Sequence, residues 1–319
     1  MHSSCSSLIN PEALKVGATV AYSLILVLSL VGNSLIVLIV YKTPTLRKPI
    51  NMLIANMAMS DLLLPIFLIP VRLAELNVGL WLIGGSLGQA LCKIVPFLTE
   101  ISMVVSIQSL VLITVDRYAA VVVPLRSPLI SRKVCRCLIV GTWILAALPH
   151  SPYFFTFNLV EYQEEKRCMN QREVILGEKR SFGIYLLSLA ILFFFIPFVV
   201  LVILYSFILI KLKKQAHPGE QSASAEEQRT RRKRKVLKMT VAIVVAFFIC
   251  WIPFFINVAI FSFEPTKTWD SCKFRVSYNV ALFMAYTSCA INPIICLTFT
   301  SNYRQALRRL VNCCDAVQG

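Results

Sequence analysis

Apolar residues in this chain run in long unbroken blocks, with no alternation of period two, and short basic segments separate the blocks. Val16–Tyr41, Cys137–Val160, Ser181–Ile210, Met239–Phe263 and Val276–Tyr303 contain no Asp, Glu, Lys or Arg. A membrane crossing takes about 20 predominantly apolar residues. A helix makes its backbone hydrogen bonds internally, so it can cross a solvent that offers none. Two more blocks hold one acid each: Asp61 within Pro49–Val71 and Glu100 within Ile94–Val115. The pattern therefore predicts seven membrane helices. Leu76–Cys92 is also uncharged, but Gly79, Gly84, Gly85 and Gly88 make it a poor eighth.

The predicted fold is an all-α membrane protein, a seven-transmembrane helix bundle with a short amphipathic cytoplasmic helix after the seventh span. Its parts are a tail at 1–15, the bundle at 16–300 with a long loop at about 211–238, and a terminal segment at 301–319. In that segment Tyr303, Leu307 and Leu310 share a side, with Arg304, Arg308 and Arg309 elsewhere, as in a helix lying along a membrane surface.

Composition agrees. Of 319 residues, 57% are hydrophobic and 15% charged, with mean hydropathy +0.72. Soluble domains carry about 25% charged residues. The net charge of +16 would suit a nucleic-acid binder if it were clustered on a soluble domain. Instead, 21 of the 32 basic residues fall in the segments on one side of the spans, with only five acids. That side is cytoplasmic by the positive-inside rule, and the N-terminus faces out. The charge then faces anionic lipid and cytoplasmic partners, and nucleic acid is removed. The expected location is the plasma membrane, multi-pass, with a cytoplasmic C-terminus.

The eleven cysteines sort by depth. Cys135, Cys137, Cys313 and Cys314 lie on the reducing side, and the last two stand where palmitoyl groups would anchor the terminal helix. Cys5, Cys92, Cys168 and Cys272 lie on the oxidising side, an even number. A Cys92–Cys168 bridge would tie the second outer loop over the bundle mouth, which leaves Cys5 to pair with Cys272.

Polar groups inside the spans are costly and so mark function. Asp61 is the deepest. Asn33, Ser106, Ser288 and Asn292 fall at the same level and have oxygens to offer, which suits a sodium ion beside Asp61 or a hydrogen-bonded cluster without one. No other cofactor is expected. Pro197, Pro253 and Pro293 interrupt three later spans and provide places where helices can swing.

Taken in order, several short motifs form a pattern: Gly32-Asn33, Asp61, Cys92, Asp116-Arg117-Tyr118, Trp143, Cys168 and Pro197 with Tyr205. Phe247-x-x-Cys250-Trp251-x-Pro253 and Asn292-Pro293 complete it. Over essentially its whole length the chain resembles the rhodopsin-like (class A) G-protein-coupled receptors, and it looks most similar to neuropeptide receptors. The resemblance implies a receptor that binds an extracellular ligand and activates a heterotrimeric G protein by outward movement of the sixth span. Arrestin, a receptor kinase and membrane lipid would be further partners. It implies switch roles for Asp116, Arg117, Tyr118, Tyr205, Phe247, Trp251, Pro253, Asn292, Pro293 and Cys296. In it, Arg117 pairs with Asp116 at rest and turns towards Tyr205 on activation. The family continues Asn-Pro-x-x-Tyr where this chain has Cys296. The missing hydroxyl implies a less stabilised active state and low basal signalling.

For the ligand, the seventh span has no Lys for a retinal Schiff base. Thr99 stands where amine receptors place an Asp, with Glu100 one residue away. A polar rim of Arg72, Glu75 and Glu100 over Trp251, Phe254, Phe255 and Tyr286, with Thr99 and Met103 between, suits a peptide. The alternative is a biogenic amine or lipid receptor. An intramembrane hydrolase or a transporter is more distant. Gly84-Gly85-Ser86-Leu87-Gly88 matches the nucleophile motif G-x-S-x-G but lacks a strand-to-helix setting, and no catalytic residue or enzyme activity is expected. No repeat or ring of charge supports a transporter.

Overall fold

The computed structural model describes residues 11–123, 129–162, 165–171, 179–214, 223–263 and 271–318. Seven helical rods among them are long and apolar enough to cross a membrane. The first is α1 (Pro11–Lys42). The second joins α2 (Pro49–Asp61) to α3 (Ile69–Val78). Then come α4 (Gly85–Val121), α5 (Arg132–His150) continued by the single turn α6 (Tyr153–Thr156), and the fifth rod, α7 (Lys179–Ala190) with α8 (Ile196–Lys214). The last two spans are α9 (Ala223–Phe263) and α10 (Cys272–Phe299), and α11 (Ser301–Gln318) follows.

Several helix ends differ from the expected ones. α4 begins at Gly85, nine residues before the block read from charge, because the uncharged glycine-rich stretch carries the third rod upward. Gly85 has φ 64° and Gly79, the C-cap of α3, φ 81°; glycine reaches this left-handed region without the Cβ penalty. The Gly84–Gly88 motif therefore sits at a helix start rather than in a loop. α9 begins at Ala223, so most of the segment expected as a loop at 211–238 extends the fifth and sixth rods. The seventh rod ends at Phe299, and Tyr303 belongs to α11.

Two rods change pitch inside the bundle. A π turn at Leu64–Leu68 follows Asp61, and another at Ile191–Phe195 precedes Pro197. Proline removes a backbone donor, and such widened turns are one way a helix absorbs the loss.

The helical reading missed one element. Phe157–Tyr162 (β1) and Glu165–Asn170 (β2) form an antiparallel hairpin with Leu159 opposite Cys168. The disulfide between Cys92 and Cys168 pins it to α4. Gln89 adds two bonds, donating to Asn158 Oδ1 at 2.9 Å and accepting from Leu159 N at 2.8 Å. Cys272 is disulfide-bonded; Cys5, its expected partner, lies outside the described residues.

The largest buried cluster runs along the bundle axis, from Leu53, Val104, Ile107 and Leu110 to Ile208, Ile243 and Phe247. Outward-facing Leu24, Val140, Ile203, Ile249 and Val280 are exposed instead, as expected of side chains that face lipid.

Candidate functional site

At the hairpin end the rods enclose a cavity of about 640 Å³, within the range of roughly 300–1,000 Å³ typical of ligand pockets. All nine residues expected around a ligand line it: Arg72, Glu75, Thr99, Glu100, Met103, Trp251, Phe254, Phe255 and Tyr286. Trp251 forms the floor. Its indole donates to Ser288 Oγ at 3.2 Å, and it packs edge-on against Phe254, with ring centroids 5.9 Å apart.

The walls are mostly apolar, with a few polar groups set among them. Arg72 and Glu75, one helical turn apart, form an ion pair at 2.9 Å. Glu100 lies close to the phenol of Tyr153. Sequence reasoning missed Trp81, Tyr153 and Asn170, which also line the cavity. Tyr153 sits in a block read only as apolar, and Asn170 is placed by the hairpin. Three buried polar atoms of the lining have no partner among the described residues: Arg72 Nε, Trp81 Nε1 and Asn170 Oδ1. An unpaired buried donor or acceptor costs about 1–3 kcal/mol, and an occupant with matching groups would recover it.

Beneath Trp251 lies the polar layer. Asp61 Oδ1 accepts from Ser106 Oγ at 2.6 Å and Oδ2 accepts from Asn292 Nδ2 at 2.7 Å. Ser60 Oγ is 3.0 Å from Ser106 Oγ. Ser288 and Asn33 are bonded elsewhere. Pro293 has no N–H to offer the carbonyl of Cys289, and Asn33 Nδ2 donates to that oxygen instead at 2.9 Å. Asn33 Oδ1 is left buried without a partner among the described residues. The Asp61 carboxyl and the linked Ser106 and Ser60 hydroxyls are oxygen donors of the kind a small hard cation prefers, and Asn33 Oδ1 on the first span is a further unpaired oxygen. The residues fit a sodium ion.

A second polar knot went unread. Asn56 Nδ2 donates to Ser109 Oγ at 2.9 Å and Asn56 Oδ1 accepts from Trp143 Nε1 at 2.9 Å, which joins three spans. This gives Trp143 a structural reason to be there.

At the far end of α4, Arg117 pairs with the adjacent Asp116. Tyr205 is bonded to Thr114, 3.0 Å from its Oγ1, and Tyr118 packs edge-on against Phe207. Phe247 stacks on Trp251 at 5.9 Å. Cys296 is buried, 1% exposed. Cys313 and Cys314 fall on the last part of α11, and their side chains lie outside the described residues.

The arrangement matches a family pattern: the model of the 7 transmembrane receptor (rhodopsin family) fits residues 32–295. The chain belongs to the rhodopsin family. It is thus a class A G-protein-coupled receptor and a multi-pass membrane protein, and the family's members are receptors, not hydrolases. The receptor is 30% identical to the RYamide receptor of Drosophila melanogaster over 297 residues, 91% of this chain and 62% of that protein. It is 27% identical to the QRFP-like peptide receptor of Branchiostoma floridae, covering 92% and 77%. With the human neuropeptide Y receptor type 2 it shares 30% identity, covering 92% and 75%. The receptor therefore spans less than two-thirds of the length of the first relative and about three-quarters of the other two.

Proposed function

We propose that this receptor binds an extracellular peptide in the cavity beneath the hairpin and activates a heterotrimeric G protein at the opposite end. The observation that carries the reading is the mix of unpartnered groups in the cavity wall. Arg72 Nε and Trp81 Nε1 need acceptors, and Asn170 Oδ1 needs a donor. Peptide bonds supply both along one chain, whereas a simple amine or a lipid tail supplies few of either. The names of the relatives agree, since RYamide, a QRFP-like peptide and neuropeptide Y are their ligands.

In this reading the N-terminus is extracellular and the basic side cytoplasmic. Ligand pressing on Trp251 disturbs its bond to Ser288, and Ser288 stands one turn from Asn292 on α10. The disturbance reaches the Asp61 layer, where a sodium ion held by Asp61 and Ser106 favours the resting bundle. Outward movement of α9 at Pro253 then frees Arg117 from Asp116. An agonist shifts this equilibrium only by its differential affinity for the two states. Arrestin and a receptor kinase would use the same opened face. Cys313 and Cys314, if acylated, would hold α11 on the lipid surface.

The test is expression in cells with a promiscuous G protein, challenged with fractionated neural tissue extract before and after protease digestion. Intracellular calcium is the readout, and Arg117→Ala is the control for coupling. A response removed by protease is expected. One that survives digestion overturns the peptide reading in favour of an amine or lipid.

A further inference from the structure

Among the described residues, the charges that line the cavity do not balance. Arg72 is neutralised by Glu75 at 2.9 Å on the same helix. Glu100 lies on another wall, on α4, and among the described residues no Lys, Arg or His stands within ion-pair distance of it. Its near neighbour is the phenol of Tyr153, which can donate a hydrogen bond but brings no positive charge. Thr99, beside it, is turned to its own helix and donates to the carbonyl of Val95 at 2.8 Å. A carboxylate withdrawn from water without a cation is costly, and a cationic partner delivered by a ligand would relieve that cost. The same cavity offers aromatic rings, Tyr153, Phe254 and Tyr278, and ring faces attract cations.

We infer that Glu100 is a cation subsite: it receives a positively charged group of the bound ligand, a guanidinium or ammonium, while the Arg72–Glu75 pair of the second span stays closed. The inference rests on the peptide reading for the rest of the ligand but not for the charge itself. Two sources could bring the cation, an Arg or Lys side chain or the free α-amine of a peptide terminus. The shared chemistry is one positive charge seated against the Glu100 carboxylate and the Tyr153 hydroxyl.

The experiment uses positional-scanning pools of amidated hexapeptides, each pool with one position fixed as arginine, lysine, citrulline or glutamate. Half of the pools are N-acetylated. A parallel set of small non-peptide amines is applied to the same cells. The full-length receptor, Glu100→Gln, Glu100→Asp and Glu100→Lys are compared at matched surface expression, with calcium mobilised through a promiscuous G protein as the readout. At one position the wild type should respond to arginine or lysine at least about tenfold more strongly than to neutral citrulline, a difference of about 1.4 kcal/mol. Glu100→Gln should lose that preference while keeping its response to the citrulline pool. Glu100→Asp should retain it, and Glu100→Lys should favour glutamate. Loss of response on acetylation alone assigns the charge to the terminus; indifference to acetylation assigns it to a side chain. A wild type that treats arginine and citrulline alike at every position overturns the cation subsite and leaves the peptide reading standing. Response only to the small amines, abolished in Glu100→Gln, keeps the subsite and overturns the peptide. Silence to every peptide pool and to the amines together overturns both.

Discussion

Asn292 on the seventh span donates its side-chain amide to Oδ2 of Asp61 on the second at 2.7 Å, while Ser106 on the third donates to Oδ1 at 2.6 Å. One carboxylate thus holds three spans together below the ligand cavity. If a sodium ion shares this layer, Asp61 supplies its counter-charge. Asp61→Asn keeps the size of the side chain and removes the charge. Replacing sodium by N-methylglucamine should change agonist affinity in the wild type, by about fivefold or more for a coupling of at least 1 kcal/mol. In Asp61→Asn the affinity should not respond to the exchange. Radioligand displacement in membranes checks this, and equal sodium dependence in both proteins would remove the ion from the layer.

The cytoplasmic lock makes a different demand. Arg117 is held by Asp116, and the Tyr205 hydroxyl is engaged by Thr114 at 3.0 Å. Asp116→Asn weakens the first restraint and Thr114→Val removes the second. Each should raise signalling in the absence of ligand, and the double variant should exceed either alone. A basal G-protein activation assay at matched surface expression reads this. If Thr114→Val lowers the baseline, then the Tyr205–Thr114 bond belongs to the active state.

Spans one and seven meet at a point where no side chain fits. A Cβ on Gly32 would lie 2.6 Å from Cγ and 2.8 Å from Cβ of Pro293, and a proline ring has little room to yield. Gly32→Ala should cost about 1–3 kcal/mol as overpacking. It should also disturb the neighbouring bond from Asn33 to the Cys289 carbonyl that Pro293 leaves free. The expected result is a lower melting temperature in detergent and reduced surface expression, whereas Gly17→Ala, where nothing lies within 4 Å, should be neutral.

These sites differ in how far the sequence disclosed them. Seven spans follow from charge spacing, because a bilayer tolerates so few charges that the blocks delimit themselves. Asp61 and its small polar neighbours are conspicuous for the same reason, yet their pairing is not. Asn33 bonds Cys289 and Ser288 bonds Trp251, and these choices depend on helix rotation and on the carbonyl that Pro293 frees. The hairpin was hidden because Glu165–Asn170 is too polar to read as a strand; it is held by its ladder and by Cys168 rather than by an apolar face. Trp81 and Asn170 reach the cavity only because the hairpin folds over the mouth: Trp81 N donates to the Lys166 carbonyl at 2.9 Å. Asn56 looked like one polar residue in an apolar block, and its link to Trp143 required three helices to be placed first.

Cys296 departs from the family pattern, and it shares its surroundings with Tyr303. Both are 1% exposed and belong to the same buried cluster. The Tyr303 hydroxyl donates to Asn51 Oδ1 at 3.3 Å and so ties α11 to the start of α2. Burial holds this phenol well above the ordinary tyrosine value of about 10. A pKa raised in the folded state means that the protonated phenol contributes stability in full below pH 10, and that this is lost as pH climbs beyond it. Tyr303→Phe should therefore cost about 0.5–1.5 kcal/mol near neutral pH through the lost hydrogen bond. Its melting temperature should fall less steeply than the wild type's above pH 10. Placing a ring at the neighbouring position is a separate test. Cys296→Tyr restores the family's hydroxyl, and Cys296→Phe adds nearly the same volume without it. Both should lower thermal stability by overpacking, about 1–3 kcal/mol. Only Cys296→Tyr should raise basal signalling, because only it can reach Tyr205 through a hydroxyl when α9 swings out. Equal baselines in the two variants would mean that this receptor stabilises its active state without that link.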